Sequence, residues 1–322
     1  MIRRDESWVT GSKGKKIRKG RWTRDDIELT LLATPTTIWY LLFSFLPMFG
    51  VIIAFKNFKI HGSFLQSIVK SPWVGASNFR FLFSSSDAFV IIRNTLGYNI
   101  VFIILGIVIP VALAIMINQL YNKRAAKVYQ TAMFMPYFLS WVVISAIVWG
   151  VLSYDKGIAN NVIASMGGAR VQWYMTKSFW PLFLVLMNLW KNLGYSMVIY
   201  LAAINGIDNE LYEAAVMDGA NKWQQAKYIT LPIMKTVIVV MFILSVGRIF
   251  YSDFGLFYQV PRNSNSLFSV TNTLDVYVYN QLKYATTGMA SAAAFLQSVM
   301  GCIAILLANW IVRKVDPDSA MI

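Results

Sequence analysis

Residues 213–232, EAAVMDGANKWQQAKYITLP, are the longest polar interval between two long apolar runs of the chain. Glu213, Ala214 and Ala215 favour helix, and Gly219 interrupts that helix. A short helix with small alanine side chains on its face suits insertion into a groove on another protein. The interval therefore predicts an ordered loop that docks onto a partner.

The second half of the same interval carries the start signals of another helix. Asn221 is a suitable N-cap, and residues 223–228 suit a second short helix. Pro232 lies just before the apolar residues resume, where the first turn of a helix tolerates proline. The docking loop is thus predicted to be a helix, a bend at Gly219 and a second helix.

The composition of the whole chain is that of a membrane protein. Of its 322 residues, 57% are hydrophobic and 14% are charged, whereas about a quarter of an average soluble domain is charged. The mean hydropathy of +0.53 agrees. A single cysteine excludes a disulfide framework, and a single histidine argues against a metal cluster.

Six apolar blocks are long enough to cross a bilayer, which takes about 20 residues. They predict transmembrane helices at 29–55, 89–117, 132–152, 180–204, 236–258 and 289–312. The first is expected to bend near Pro35 or Pro47. The predicted fold class is therefore an all-α membrane protein with six transmembrane helices.

The formal net charge of +14 is distributed as a membrane topology requires. Placing the N-terminal tail, the segments 119–128 and 205–235 and the C-terminal end in the cytoplasm puts 17 of the 29 Lys and Arg residues there. The positive-inside rule then predicts that both termini and the docking loop are cytoplasmic. The predicted domains are a basic cytoplasmic tail (1–28), a membrane domain (29–313) and a cytoplasmic C-terminal tail (314–322).

The docking loop carries a compound motif. Its fixed positions are Glu213, Ala214, Ala215, Asp218, Gly219, Ala220, Ile229, Leu231 and Pro232. This motif resembles the EAA loop of permease subunits in binding-protein-dependent ABC importers, whose sugar branch has EAA-x-x-DGA, a spacer and then I-x-LP. The resemblance implies a type I ABC importer permease fold, in which residues 213–220 belong to a cytoplasmic coupling helix that contacts an ATPase.

The resemblance also implies an assembly in a bacterial cytoplasmic (inner) membrane. It would contain a second homologous permease subunit, identical or different, two cytoplasmic ABC ATPase subunits and an extracytoplasmic solute-binding protein. No GxxxxGK[S/T] phosphate loop occurs in the sequence. ATP and Mg²⁺ would therefore be bound by the ATPase subunits, and this chain would hold no cofactor or metal and catalyse no reaction.

Polar residues inside two of the predicted spans are candidates for substrate contact, because such residues usually face a bundle interior or a water-filled path. In the fourth span they share one helical face, with spacings of three and four: Asn188, Lys191, Asn192 and Tyr195. These positions fall where maltose-type permeases place sugar contacts, although Lys191 and Asn192 depart from the small or apolar residues of that type.

The fifth span offers a second candidate set. Arg248 and Ser252 are expected to share a helical face, with Tyr251 adjacent and Asp253 next in the chain. Aromatic rings suit the apolar faces of sugars, and amides and charges suit their hydroxyl or carboxyl groups. Alternatively, both sets pair with a neighbouring helix or with the partner permease.

Two cations, Lys191 and Arg248, suit an anionic cargo such as a uronate, since a guanidinium can hold a carboxylate through two hydrogen bonds. The hypothesis is therefore import of acidic oligosaccharides, with neutral glycan fragments as the alternative. Alginate and pectin fragments are the examples that the resemblance to the permease family implies. Two other classes stay open. A membrane-embedded enzyme acting on lipid-linked sugars would need a catalytic set that is not visible, and an ATP-independent carrier or channel would leave the docking loop without a purpose.

Overall fold

The computed structural model describes residues 23–80, 86–283 and 287–316. Apart from a bridge between Lys56 and Trp73, the regular structure in these ranges is helical, which confirms the all-α prediction. Most of the predicted tails, 1–28 and 314–322, lies outside the described residues. The α-helices are α1 (Arg24–Tyr40), α2 (Phe64–Lys70), α3 (Ser86–Asn118), α4 (Lys123–Phe134), α5 (Trp141–Leu152), α6 (Ile158–Ser165), α7 (Trp180–Asn205), α8 (Asn209–Met217), α9 (Lys222–Gln225), α10 (Leu231–Gly247), α11 (Phe268–Thr271), α12 (Leu274–Lys283) and α13 (Thr287–Val315).

The described residues divide into two compact units, one ending at Gly50 and one beginning at Val51. In the first unit, Thr23 and Asp26 form a capping box in which each side chain accepts a hydrogen bond from the other's backbone N–H. The α-helix passes through Pro35 and then changes to a π-helical turn (Leu41–Phe45) and a 3₁₀ segment (Leu46–Phe55). The change of winding lies next to Pro47, whose missing N–H removes a helical hydrogen bond.

Five stretches of the described residues are long and apolar enough to cross a membrane: Arg24–Phe55, Asp87–Asn118, Trp180–Asn205, Lys222–Gly247 and Thr287–Val315. A pair of helices, Lys123–Phe138 and Trp141–Leu152, is bent by 95° and is long and apolar enough for a sixth crossing only if both helices count as one span. The prediction of one helix over 132–152 is therefore wrong. Pro136 lies in the first turn of a 3₁₀ segment (Met135–Phe138), and Ser140 then caps α5 by accepting from the N–H of Val143 at 3.3 Å.

The fifth predicted span, 236–258, also differs from the structure. Its helix begins inside the docking loop at Lys222, continues through a π-helical turn (Ala226–Thr230) into α10 and ends at Gly247. The π-helical turn ends at Thr230, two residues before Pro232, which has no N–H to donate into it. Residues 248–253 are not helical, so the helical face predicted for Arg248 and Ser252 does not exist.

The most extensive helix contact in the second unit is between α3 and α7. One cluster of buried side chains surrounds Trp180 and Phe257, and another surrounds Met197 and Met234. Because lipid tails are as apolar as these side chains, close fit and hydrogen bonds stabilise such a bundle more than escape from water does. The fit is tight at Gly194 of α7, where an added Cβ would collide with backbone atoms of Met133 in α4.

Candidate functional site

A cavity of about 660 Å³ lies between α3, α7 and the chain that follows α10. Its volume falls in the range of small-ligand sites, roughly 300–1,000 Å³. Six of the seven predicted substrate contacts line it: Asn188, Asn192, Tyr195, Arg248, Tyr251 and Asp253. The structure therefore brings together two sets of residues that are more than fifty positions apart in the chain.

Lys191 is the predicted contact that does not line this intramembrane cavity. Its Nζ donates hydrogen bonds to the carbonyl oxygen of Tyr137 at 2.8 Å and to that of Leu139. It also lies 5.6 Å and 5.4 Å from the ring centres of Tyr137 and Trp141. Both carbonyl groups belong to the bend between α4 and α5. Of the four residues predicted to share one helical face, three line the cavity. Lys191 instead holds the bend between α4 and α5 through its hydrogen bonds.

The non-helical segment 248–253 is held by amide side chains from other helices. Asn99 of α3 donates to the carbonyl oxygens of Ile249 and Tyr251 at 2.8 Å and 2.9 Å. Gln297 of α13, which is buried, donates to the carbonyl oxygen of Phe250 at 2.8 Å. These bonds replace helical partners that the backbone loses, and a buried carbonyl group without a partner would be costly.

Two carboxylates complete the hydrogen bonds around this segment. Asp275 accepts from the backbone N–H and the hydroxyl of Ser252 at 2.6 Å and 2.9 Å. Asp253 accepts from the indole N–H of Trp141 at 2.7 Å and is attracted electrostatically to Lys191. The acidic group that lines the cavity is therefore already engaged with the bend between α4 and α5.

Arg248 differs from its charged neighbours. It lines the cavity, is exposed and has no ion pair or side-chain hydrogen bond to any residue that the structure describes. Its backbone N–H donates to the carbonyl oxygen of Ser245 at 3.1 Å and so fixes its position at the end of α10. A cation within a membrane bundle usually pairs with a carboxylate or a backbone carbonyl group. The guanidinium of Arg248 is free to accept an anionic ligand.

Aromatic rings form one wall of the cavity. Tyr137 and Tyr195 are stacked with their ring centres 4.6 Å apart and their planes 10° apart. Phe134 extends the stack, with its ring 5.8 Å from Tyr137 and 6.5 Å from Tyr195. Flat aromatic surfaces of this kind suit the apolar face of a sugar ring. Since Lys191 binds the carbonyl group of Tyr137, it also positions this wall.

Sequence reasoning missed Asn99, Tyr137, Asp275 and Gln297. Asn99 and Gln297 lie within the predicted second and sixth spans. Polar residues in the fourth and fifth spans were selected because polar residues in a membrane are usually functional, and the same rule could have identified these two. Tyr137 could not be identified in this way. It reaches the cavity because of the bend between α4 and α5, and the continuous apolar run did not indicate that bend.

The docking loop has the predicted helix–bend–helix form. Asp208 caps α8, Gly219 has a φ of +82°, and Asn221 forms a capping box with Gln224 at the start of α9. A positive φ of this size favours glycine. The two arms are also joined by side chains, since the hydroxyl groups of Tyr212 and Thr230 lie 2.9 Å apart.

The same loop presents an exposed surface. Of the predicted coupling residues, Glu213, Ala214, Asp218 and Gly219 are exposed, and Ala215 and Ala220 are half-buried. Apolar side chains lie exposed beside them: Leu211, Val216 and Met217. The loop therefore combines a braced backbone with an apolar face that packs against no described part of the chain.

The described residues thus combine helices that are long and apolar enough to cross a membrane, a cavity with polar residues between them and a braced loop. Residues 106–317 match the family described as binding-protein-dependent transport system inner membrane component. The chain belongs to this family, and it is an integral inner-membrane protein. The predicted family and fold class are confirmed.

Two relatives from Bacillus subtilis (strain 168) span almost the whole chain. Protein LplB is 30% identical to it, over 98% of this chain and 98% of its own. The polygalacturonan/rhamnogalacturonan transport system permease protein YteP is 33% identical, over 90% of this chain and 89% of its own.

Solved structures agree with these relatives. In the crystal structure of a bacterial ABC transporter involved in the import of the acidic polysaccharide alginate, one chain is 31% identical, with a TM-score of 0.81, covering 91% of this chain and 97% of that chain. A second structure is the bacterial alginate ABC transporter in complex with an alginate pentasaccharide-bound periplasmic protein. Its matching chain is 30% identical, with a TM-score of 0.80, covering 91% of this chain and 96% of that chain.

Proposed function

We propose that this chain is a permease subunit of an ATP-driven importer that moves acidic oligosaccharides through the intramembrane cavity. The names of YteP and of the alginate transporter both refer to acidic polysaccharides, which supports this class of cargo. The cavity supports it independently, because it combines amide groups, a stacked aromatic wall and an unpaired guanidinium.

The observation that carries the proposal is the position of Arg248. A guanidinium can bind a uronate carboxylate through two parallel hydrogen bonds. Asp253 binds Trp141 and forms no ion pair with Arg248 in the described part of the chain. A neutral sugar would leave the charge of Arg248 uncompensated in the bundle, whereas an acidic sugar neutralises it. Asn188 and Asn192 would bind hydroxyl groups of the same sugar.

The docking loop is proposed to be the coupling element for an ATPase. Residues 213–220 would enter a groove on a cytoplasmic ABC ATPase subunit, which binds ATP and Mg²⁺, and would transmit its closure to α10. The continuous helix Lys222–Gly247 supports this assignment, since it joins the loop directly to Arg248. Both termini and the loop would then lie in the cytoplasm, and two ATPase subunits, a second permease subunit and an extracytoplasmic solute-binding protein would complete the assembly.

Uptake by the reconstituted importer tests the cargo. Proteoliposomes containing the complete transporter and its solute-binding protein are supplied with ATP and with either a uronate oligosaccharide or a neutral oligosaccharide of equal length. We expect Arg248→Gln to lower uptake of the acidic sugar about 10- to 100-fold, the loss of a charged hydrogen-bond pair. Uptake of the neutral sugar should change little.

Two variants serve as controls for that experiment. Arg248→Lys keeps the charge but loses the two-bond geometry, so acidic uptake should be intermediate. Arg262→Gln removes an arginine that lies over the Trp149 ring, outside the cavity, and should leave the ratio of acidic to neutral uptake unchanged. An unchanged ratio in Arg248→Gln would contradict the acidic cargo and favour neutral glycans.

A further inference from the structure

Two neighbouring cavities lie where α3 ends and the docking loop begins. The first, which we call the polar pocket, has a volume of about 370 Å³ and is lined by amide groups together with Lys123 and Lys222. The second, the apolar groove, has a volume of about 610 Å³ and runs between α3 and α10. Ile115, Gln119 and Lys222 line both, so the two cavities are adjacent.

The polar pocket has the chemistry of an anion site. No acidic side chain is among its lining residues. The Nζ of Lys123 makes one long contact, 3.5 Å to the carbonyl oxygen of Asn118, and that of Lys222 makes another, 3.4 Å to Oε1 of Gln225. An ammonium group has three donors. Both lysines therefore have hydrogen-bonding capacity left for a negatively charged group.

The apolar groove adds a second requirement, because it is lined almost wholly by hydrocarbon. Val111 and Ala112 of α3 form one side and Leu231 and Ile238 of α10 form the other. Trp223 lines the groove, directly follows Lys222 in the chain and is 75% exposed. Tryptophan is enriched at the interface between lipid and water. A soluble anion would leave this groove empty.

We propose that the polar pocket and the apolar groove together bind one anionic phospholipid. Its phosphate lies between the ammonium groups of Lys123 and Lys222, and an acyl chain lies in the groove between α3 and α10. Gln119 donates to the carbonyl oxygen of Lys222 at 3.1 Å and so joins the end of α3 to the first residue of α9. A lipid at this position braces the base of the docking loop.

Native mass spectrometry of the purified full-length protein tests the site, by titration with phosphatidylglycerol or with phosphatidylcholine of the same acyl chains. We expect tighter binding of phosphatidylglycerol. The double variant Lys123→Gln, Lys222→Gln should weaken it about thirtyfold, or about fivefold per lysine, with little effect on phosphatidylcholine. Lys127→Gln is the matched control, since Lys127 is an exposed lysine of α4 that lines neither cavity.

Two further measurements distinguish a bound phospholipid from other ligands of the site. Ala112→Phe narrows the groove with both lysines intact and should weaken both lipids. Glycerol 3-phosphate, which has the head-group charge and no acyl chain, should not displace phosphatidylglycerol at equal concentration. The proposal is overturned if the double variant binds phosphatidylglycerol like the unsubstituted protein, if glycerol 3-phosphate displaces the lipid, or if Ala112→Phe changes nothing.

Discussion

At the scale of single residues, Lys191 and Arg248 show two uses of a cation inside a bundle. Lys191 is buried, and its ammonium group donates hydrogen bonds to backbone carbonyl groups at the bend between α4 and α5. Arg248 lines the cavity with no described partner. The sequence predicted the same role for both, because spacing along a helix does not reveal which neighbour a long side chain reaches.

Replacing Lys191 should therefore cost stability. In Lys191→Met the side chain keeps a similar length but cannot donate, so two carbonyl groups at the bend lose their partner. We expect the free energy of unfolding to fall by about 1–3 kcal/mol. Thermal unfolding in detergent measures this, with Lys127→Met, at an exposed position of α4, as the control. Equal unfolding midpoints for the two variants would show that Lys191 does not hold the bend.

At the scale of elements, local signals predicted the docking loop well. Asn221, Gly219 and Pro232 act through their own backbone geometry, and the structure places each as expected. The break after α10 could not be predicted in this way, since the apolar composition continues past it. The hydrogen bonds that satisfy the backbone carbonyl groups at this break come from the side chains of Asn99 and Gln297. Asn99 lies about 150 residues before the break and Gln297 about 50 residues after it.

The bend of the docking loop gives a prediction for an element. At Gly219 an added Cβ would meet open space, so Gly219→Ala acts only through the positive φ. The cost should be about 1–2 kcal/mol, confined to the loop. Hydrogen exchange should become faster in α8 and α9 and stay unchanged in α7. Gly97→Ala, in open space within α3, is the control and should leave the loop unaffected. Unchanged exchange in the loop of Gly219→Ala would contradict a strained bend.

At the scale of the whole molecule, composition and the blocks of apolar residues predicted a helical membrane protein, and the compound motif of the docking loop indicated its family. Neither the composition nor the motif could predict that α3, α7 and the segment 248–253 surround one cavity. That arrangement depends on Gly194, where α7 touches α4, and on amide side chains that reach across helices.

The proposed assembly gives a prediction for the complete transporter. Ala214 is exposed on α8, so Ala214→Arg should leave the permease folded while its bulk and charge keep the loop out of an ATPase groove. Copurification of the ATPase subunit should fall at least tenfold. Ala164→Arg, at an exposed alanine of α6, is the matched control and should copurify normally. Normal copurification with Ala214→Arg would contradict docking through this loop.

The position of Arg248 directly after the last residue of α10 also bears on how firmly a cargo is held. The C-terminal end of a helix carries a partial negative charge of about one half. This partial charge makes an unpaired guanidinium tolerable when the cavity is empty, and it reduces the attraction that an arriving carboxylate experiences. A permease needs such a limit on affinity, because a sugar that is bound too tightly halfway across the membrane would not be released on the other side.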